Sequence, residues 1–325
     1  MFPVSRPRRL RTTAAMRELV SDTRLSVKDF VAPLFVREQG DSPVPIKSLP
    51  GVMQHTLPTL KEEVRALRDL GVPSVILFGI PAKKDDIGSG AFDPDGIVQR
   101  ALGELRDLVG DTMVIMSDLC VDEYTSHGHC GVLDGHGCVD NDATVEIYAK
   151  AALAQARAGA HVVAPSGMMD GQVGAIRSTL DAAGFIDTAI LAYSAKYASG
   201  LYGPFRDAVE VQIAGGGDRK GYQQDYRNTR EALREVLADV EEGADMVMVK
   251  PALTYLDILA DVRAAVDVPV AAYQVSGEYA MIKAAAANGW IDHDAVAIEQ
   301  LTAIKRAGAS FILTYFARWF AENNQ

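Results

Sequence analysis

"NTREALREVLADVEEGADMVMVKP", residues 228–251, decides how this chain is read. Leu233, Val236, Leu237 and Val240 recur at helical spacing among charges, and the pattern stops at Gly243. A continuous apolar run, Met246 to Val249, follows and ends on Lys250 and Pro251. Continuous apolar runs, rather than alternating ones, are expected of parallel strands covered on both faces. A glycine between helix and strand is the usual C-terminal cap. The unit recurs along the chain. Further runs are "VAPLFV" (31–36), "SVILFGI" (74–80), "MVIMSD" (113–118) and "HVVAPS" (161–166). "AILAYSAK" (189–196), "PVAAYQVS" (269–276) and "FILTYFA" (311–317) complete the set. Helical segments at 60–71 and 143–160 likewise carry cap glycines, Gly71 and Gly159. Eight such runs separated by helices predict an α/β chain folded as a closed (β/α)8 TIM barrel. An open doubly wound sheet usually has fewer strands and often a glycine-rich first turn, and "VREQGDSP" after the first run supplies none.

The remaining bounds agree with one large domain. The 325 residues show no linker and no second core, so residues 1–30 are expected to form an N-terminal arm and 31–325 the barrel. Hydrophobic residues make up 48% and charged ones 23%, enough for an ordinary globular core. A net charge of -11 argues against a nucleic-acid partner, because phosphate binding needs a basic surface. The one basic cluster, Arg6, Arg8, Arg9 and Arg11, is better explained as an arm packing on another subunit than as a nuclear signal. No run approaches a membrane span, and "MFPVSRPRR" lacks the apolar core of a signal peptide. Three cysteines are too few for a disulfide scaffold. A soluble, cytoplasmic protein is expected.

In a barrel of this kind the chemistry sits at the carboxyl ends of the strands. Those ends carry Asp118 and Cys120, then Ser166, Lys196, Lys250, Ser276 and Tyr315. A strand lysine in an apolar run is desolvated, and a second ammonium nearby lowers its pKa further. Such an amine can attack a carbonyl and form a Schiff base. A lysine paired with a strand-end carboxylate is the plainer reading for either one alone; two on adjacent strands favour catalysis. "SDLCVDEYTSHGHCGVLDGHGC" (117–138) holds all three cysteines and three of the six histidines. Thiolates favour zinc, and three protein ligands leave a position open, as a catalytic site requires. The spacing lacks the paired CxxC of a structural zinc module.

Several of these stretches together resemble one family. "DLCVDEYTSHGHCG", "APSGMMDGQVGAIR", "AYSAKYASGLYGPFRDA", "MVMVKPALTYLDI" and "YQVSGEYAMI", in this order, are similar to the porphobilinogen synthase (5-aminolevulinate dehydratase) family. The similarity runs from "RPRRLR" to "SFILTYFA", nearly the whole chain. It implies a (β/α)8 barrel with an arm that embraces a neighbour, usually in an octamer. It also implies condensation of two 5-aminolevulinate molecules to porphobilinogen, on the way to heme and other tetrapyrroles. By motif, Lys250 and Lys196 resemble the two substrate-binding lysines, and Asp118 an acid beside the amine. Ser276 and Tyr315 match residues that hold the first carboxylate, and Ser166 a further polar contact. Arg206, Arg219 and Gln223 match a lid that grips the second carboxylate; the span 200–227 with "AGGGDRKG" suits a closing lid.

The chain departs from the family at the metal. Zinc-type members carry a cysteine where this one has Asp122, and magnesium-type members replace the cysteines. Cys120 and Cys130 remain, so the resemblance implies Zn2+ with Asp122 or Cys138 completing the set. Glu235 falls where bacterial members have a carboxylate for an allosteric Mg2+. Two other classes stay open: a class I aldolase, which needs no metal at the mouth, and a zinc-binding scaffold, which would need neither lysine nor arginine lid.

Overall fold

The computed structural model describes residues 3–214 and 217–324. Gly215 and Gly216, in the expected lid, lie outside the described residues. Among the described residues none before Phe30 is fully buried; this stretch carries one short α-helix, α1 (Ala14–Leu19), between 3-10 turns at Pro7–Arg11 and Val27–Asp29.

Strand β1 (Phe30–Arg37) opens the barrel. A short pair absent from the sequence reading, β2 (Val44–Pro45) and β3 (Met53–His55), attaches beside it. The other strands are β4 (Ser74–Ile80), β5 (Val114–Leu119), β6 (Val162–Pro165) and β7 (Ala189–Lys196). Then come β8 (Met246–Lys250), β9 (Val270–Gln274) and β10 (Phe311–Thr314). Successive strands from β4 to β10 pair in parallel, β4 pairs with β1, and β10 pairs back to β1. This closes an eight-stranded (β/α)8 barrel. Every strand predicted from an apolar run is present, because burial on both sides requires such runs.

The outer layer holds α2 (Leu57–Asp69), α3 (Ile97–Val109), α4 (Asn141–Arg157) and α5 (Gln172–Ala182). The short α6 (Gly203–Ala208) lies over the barrel mouth, while the layer continues with α7 (Arg230–Glu241) and α8 (Leu256–Ala265). Helices α9 (Ser276–Ala287), α10 (His293–Arg306) and α11 (Ala317–Asn323) finish it. Asp140 and Asp292 cap α4 and α10 by accepting from Ala143 and Ala295. The predicted cap glycines take positive φ, 83° at Gly71 and 106° at Gly159 and Gly243, turning each helix into the next strand.

Candidate active site

Lys196 ends β7 and Lys250 ends β8, and the two are direct partners in the strand register. Each is only 5% exposed. Four rings surround the Lys250 ammonium: Tyr273 at 4.5 Å, Tyr193 at 5.0 Å, Phe205 at 5.2 Å and Tyr202 at 5.4 Å. Lys196 donates to the Ser166 carbonyl. Asp118, at the end of β5, accepts from the Ser166 hydroxyl at 3.1 Å.

The lysines are driven apart electrostatically. Burial first, then the Lys196 charge, lowers Lys250 to about 7, with Asp118 opposing. Lys196 is also penalised by burial, but Cys130, Cys120 and Asp122 outweigh it and raise the pKa. Burial raises Asp118 to about 6 against the pull of both lysines. One amine is therefore available as a free base near neutral pH while its neighbour keeps its charge. Groups pushed apart in this way mark acid–base assignments.

Strand β5 stops at Leu119, so Cys120 and Asp122 lie on the following loop. They converge nonetheless. Cys120, Asp122 and Cys130 are buried, and a ligand atom from each lies within 4.8 Å of the others. Cys138 is exposed and outside this group, so Asp122 rather than Cys138 completes it. Two sulfurs and an oxygen suit zinc, and a borderline metal tolerates this mixed set. Burial would raise the Cys130 thiol, but a hydrogen bond with Cys120 and the Arg219 charge prevail and lower it. A lowered thiol is easier to ionise, and the thiolate is the ligand. Tyr148 adds a hydroxyl 3.3 Å from Cys120 Sγ and 3.0 Å from the Cys130 carbonyl.

The segment expected to act as a lid bonds directly to this loop. Arg219 Nη2 donates to Asp122 Oδ2 at 2.7 Å and to the Gly128 carbonyl at 2.8 Å. The Tyr222 hydroxyl meets the Cys130 amide at 3.3 Å and His129 Nδ1 at 3.2 Å. Arg206, half buried, forms no ion pair among the described residues and so keeps its fork open for a carboxylate.

Asp118, Asp122, Ser166, Lys196, Arg206, Arg219 and Lys250 line one enclosed cavity of about 20 Å3. That volume admits about one water. Through Tyr202, Arg206 and Arg219 it adjoins an outer cleft of about 810 Å3, where Gln223 and Lys220 lie. Ser276 and Tyr315 do not line the cavity. The Ser276 hydroxyl accepts from the Phe205 amide at 3.0 Å and donates to the Leu201 carbonyl at 3.3 Å, while Tyr315 meets Tyr273 at 3.1 Å. Glu235 and Cys138 share an acidic cleft with Asp170, Asp225 and Glu231, which adjoins the outer cleft through Asp218, Lys220 and Gln223. Burial, then Asp170 and Glu231, raises the Glu235 carboxyl.

Sequence reasoning missed the aromatic groups: Tyr148 and Tyr222 at the cysteines, and the four rings at Lys250. Tyr202 and Phe205 stood in the quoted lid motif; nothing in their spacing announced a lysine beside them. Glu123, a carboxyl of the same cysteine stretch to which the sequence assigned no role, is buried in the cavity wall.

Comparison with known proteins agrees with this arrangement. The family model described as delta-aminolevulinic acid dehydratase matches residues 4–323. The delta-aminolevulinic acid dehydratase of Streptomyces coelicolor is 62% identical over 318 residues, covering 97% of this chain and 96% of that protein. The Mycobacterium tuberculosis enzyme is 57% identical with the same coverage. The crystal structure of the Toxoplasma gondii enzyme with its product porphobilinogen superposes with a TM-score of 0.95 at 45% identity. It covers 98% of this chain and 91% of the other. With a lysine pair, a cysteine loop and an arginine segment at the mouth of one barrel, the chain belongs to the delta-aminolevulinic acid dehydratase, or porphobilinogen synthase, family.

Proposed function

We propose that the chain is a porphobilinogen synthase that condenses two 5-aminolevulinate molecules through Schiff bases on Lys250 and Lys196. The observation that carries this reading is the in-register lysine pair with its split pKa values. Neutral Lys250 attacks the ketone of the first substrate, and loss of water, with one proton delivered from Asp118, leaves a protonated imine among the aromatic rings. Charged Lys196, tied to the Ser166 carbonyl, receives the second substrate. Asp118 is the proton-handling group beside the amines, and Ser166 orients its carboxyl. Arg206, Arg219 and Gln223 grip the second carboxylate. Ser276 and Tyr315 serve the first, Ser276 after exchanging its bonds to Leu201 and Phe205. A cavity of about 20 Å3 must open for any of this, so the 200–227 segment acts as a lid.

Cys120, Asp122 and Cys130 would hold Zn2+, with Tyr148 supporting two of them. When bound there, the ion supplies Lewis-acid polarisation of a substrate group. Asp122 also carries Arg219, so the site is expected to bind zinc less tightly than three thiolates would. Glu235, in the acidic cleft, is the candidate for an allosteric Mg2+. Residues 1–30 would embrace a neighbouring subunit in a homo-oligomer, an octamer by family resemblance, working in the cytoplasm. No helix among the described residues is long and apolar enough to cross a membrane.

Assaying pyrrole formation from 5-aminolevulinate, with metal analysis of the same sample, tests the reading. Borohydride trapping with substrate should add mass to a peptide containing Lys250. A label only on a remote lysine, or no pyrrole from the zinc-loaded protein, would sink it.

A further inference from the structure

Tyr193 lies wholly buried beside both lysines, although ordinary strand alternation turns it away from them. Successive side chains point to opposite faces. Counting back from Lys196, whose ammonium lines the cavity, alternation sends Ser194 inward and Tyr193 outward. The pairing with β8 breaks this count. Ala192 pairs with Val247 and Ala195 with Val249, so Tyr193 and Ser194 together oppose Met248 alone. An inserted residue of this kind is a bulge, a device that re-aims a side chain and is frequent beside active sites. Ser194 accordingly meets Asp239 of α7, on the outside of the barrel.

Inside, the Tyr193 ring lies 5.0 Å from Lys250 Nζ and 5.6 Å from Lys196 Nζ. Among the described residues, no other ring is within cation–π reach of both. Its hydroxyl interacts with the Asp118 carboxyl, yet neither Tyr193 Oη nor Asp118 Oδ1 closes a well-aligned hydrogen bond. Buried polar atoms are rarely left so, and each such case calls for an explanation. The three reactive groups of the cavity thus share one side chain that only the bulge brings to them.

We propose that Tyr193 is a positioning residue of the condensation: its ring holds the two lysines in place and its hydroxyl orients Asp118 toward them. The assignment rests on the Schiff-base reading of the lysines. Ring and hydroxyl are separable by substitution. Tyr193→Phe keeps the ring and should lower kcat roughly tenfold, the worth of one hydrogen bond to a charged group, with KM within twofold. Borohydride labelling of Lys250 should persist in it. Tyr193→Leu removes both functions and should lose a further tenfold or so in kcat while labelling slows, as the protonated imine that borohydride reduces loses its ring. Thermal unfolding of Tyr193→Phe should stay close to that of the unchanged enzyme, so the conservative variant remains informative even if the leucine variant folds poorly. A Tyr193→Phe enzyme with unchanged kcat overturns the proposal, as does a fall in kcat matched by an equal rise in KM. If the unchanged enzyme with substrate and borohydride carries label on neither lysine, the Schiff-base reading itself fails and Tyr193 loses its role with it. Label on Lys250 beside an unaffected Tyr193→Phe rejects the tyrosine alone.

Discussion

At the residue scale, the balance of burial against charge decides what each group can do. Lys250 has few ways to keep a proton, since burial and Lys196 both oppose its charge and hold its pKa near 7. Trapping of substrate on Lys250 is therefore expected to rise with pH through about 7 and level off above it, because only the neutral amine attacks. Lys250→Ala should abolish turnover, by a factor on the order of a thousand or more, with an unchanged circular dichroism spectrum. Lys196→Ala should be severely impaired too and should move the trapping midpoint upward, since it removes a charge that depresses the Lys250 pKa. Asp122 poses a different problem. Burial would raise its carboxyl, but Arg219 and then Lys196 hold it far below the ordinary value of 3.8. Its folded pKa is depressed, so the pair stabilises the fold above pH 3.8 and loses that contribution as pH falls toward the folded value. Asp122→Asn leaves the Arg219 guanidinium buried without its anion and should cost about 3–5 kcal/mol in urea unfolding. Asp122→Cys should tighten zinc, as isothermal titration can measure; unchanged affinity would remove Asp122 from the ligand set.

At the scale of elements, the cysteine loop and the lid segment behave as one unit. Besides the Arg219 and Tyr222 bonds, the Ala214 amide donates to the His127 carbonyl at 3.0 Å. Gly128 sits at φ 73°, and a Cβ there would lie 2.4 Å from the Gln212 carbonyl oxygen. Gly128→Ala must push the two segments apart, at a cost of roughly 1–3 kcal/mol from the strained φ alone. The expected result is faster proteolysis between 211 and 223 together with weaker zinc binding; loss of one without the other would show that the segments are independent. Chelation should inactivate the enzyme without unfolding it, because the ligands follow β5 and the barrel closes without them. Zinc should restore activity, though not to Cys130→Ala. Full turnover by a metal-free preparation would refute a catalytic zinc.

At the scale of the whole molecule, the first residues and the barrel are loosely coupled, while residues 25–29 join the two. Residues 3–22 are almost wholly exposed within this chain, whereas Leu25 and Val27 pack partly against the core, Asp29 pairs with Lys305 at 2.8 Å, and Phe30 is fully buried and packs edge-on against Phe320 at 4.8 Å. Removing residues 1–22 should therefore leave the barrel's circular dichroism spectrum intact and reduce its assembly size in sedimentation. An unchanged assembly would show that the arm plays no part in subunit contacts.

What the sequence alone determined is the part governed by local repetition. A strand covered on both faces must be apolar throughout, and a helix must turn at a residue that tolerates positive φ. Eight apolar runs and three cap glycines therefore spelled out the barrel, and with it the mouth where Lys196, Lys250 and Asp118 meet. Reading Lys250 as a desolvated amine beside a second charge needed only the strand order. Identity of motif, not spacing, supplied the substrate. The tertiary structure decided what depends on contacts between distant segments. Cys120, Asp122 and Cys130 converge although β5 ends before them, Cys138 departs to an acidic cleft, and Arg219 reaches Asp122 from the 200–227 segment. Tyr193 faces the lysines only through an inserted residue in β7. A one-residue bulge reverses every following side chain yet leaves no trace in composition or period, because it is defined by the neighbouring strand and not by its own.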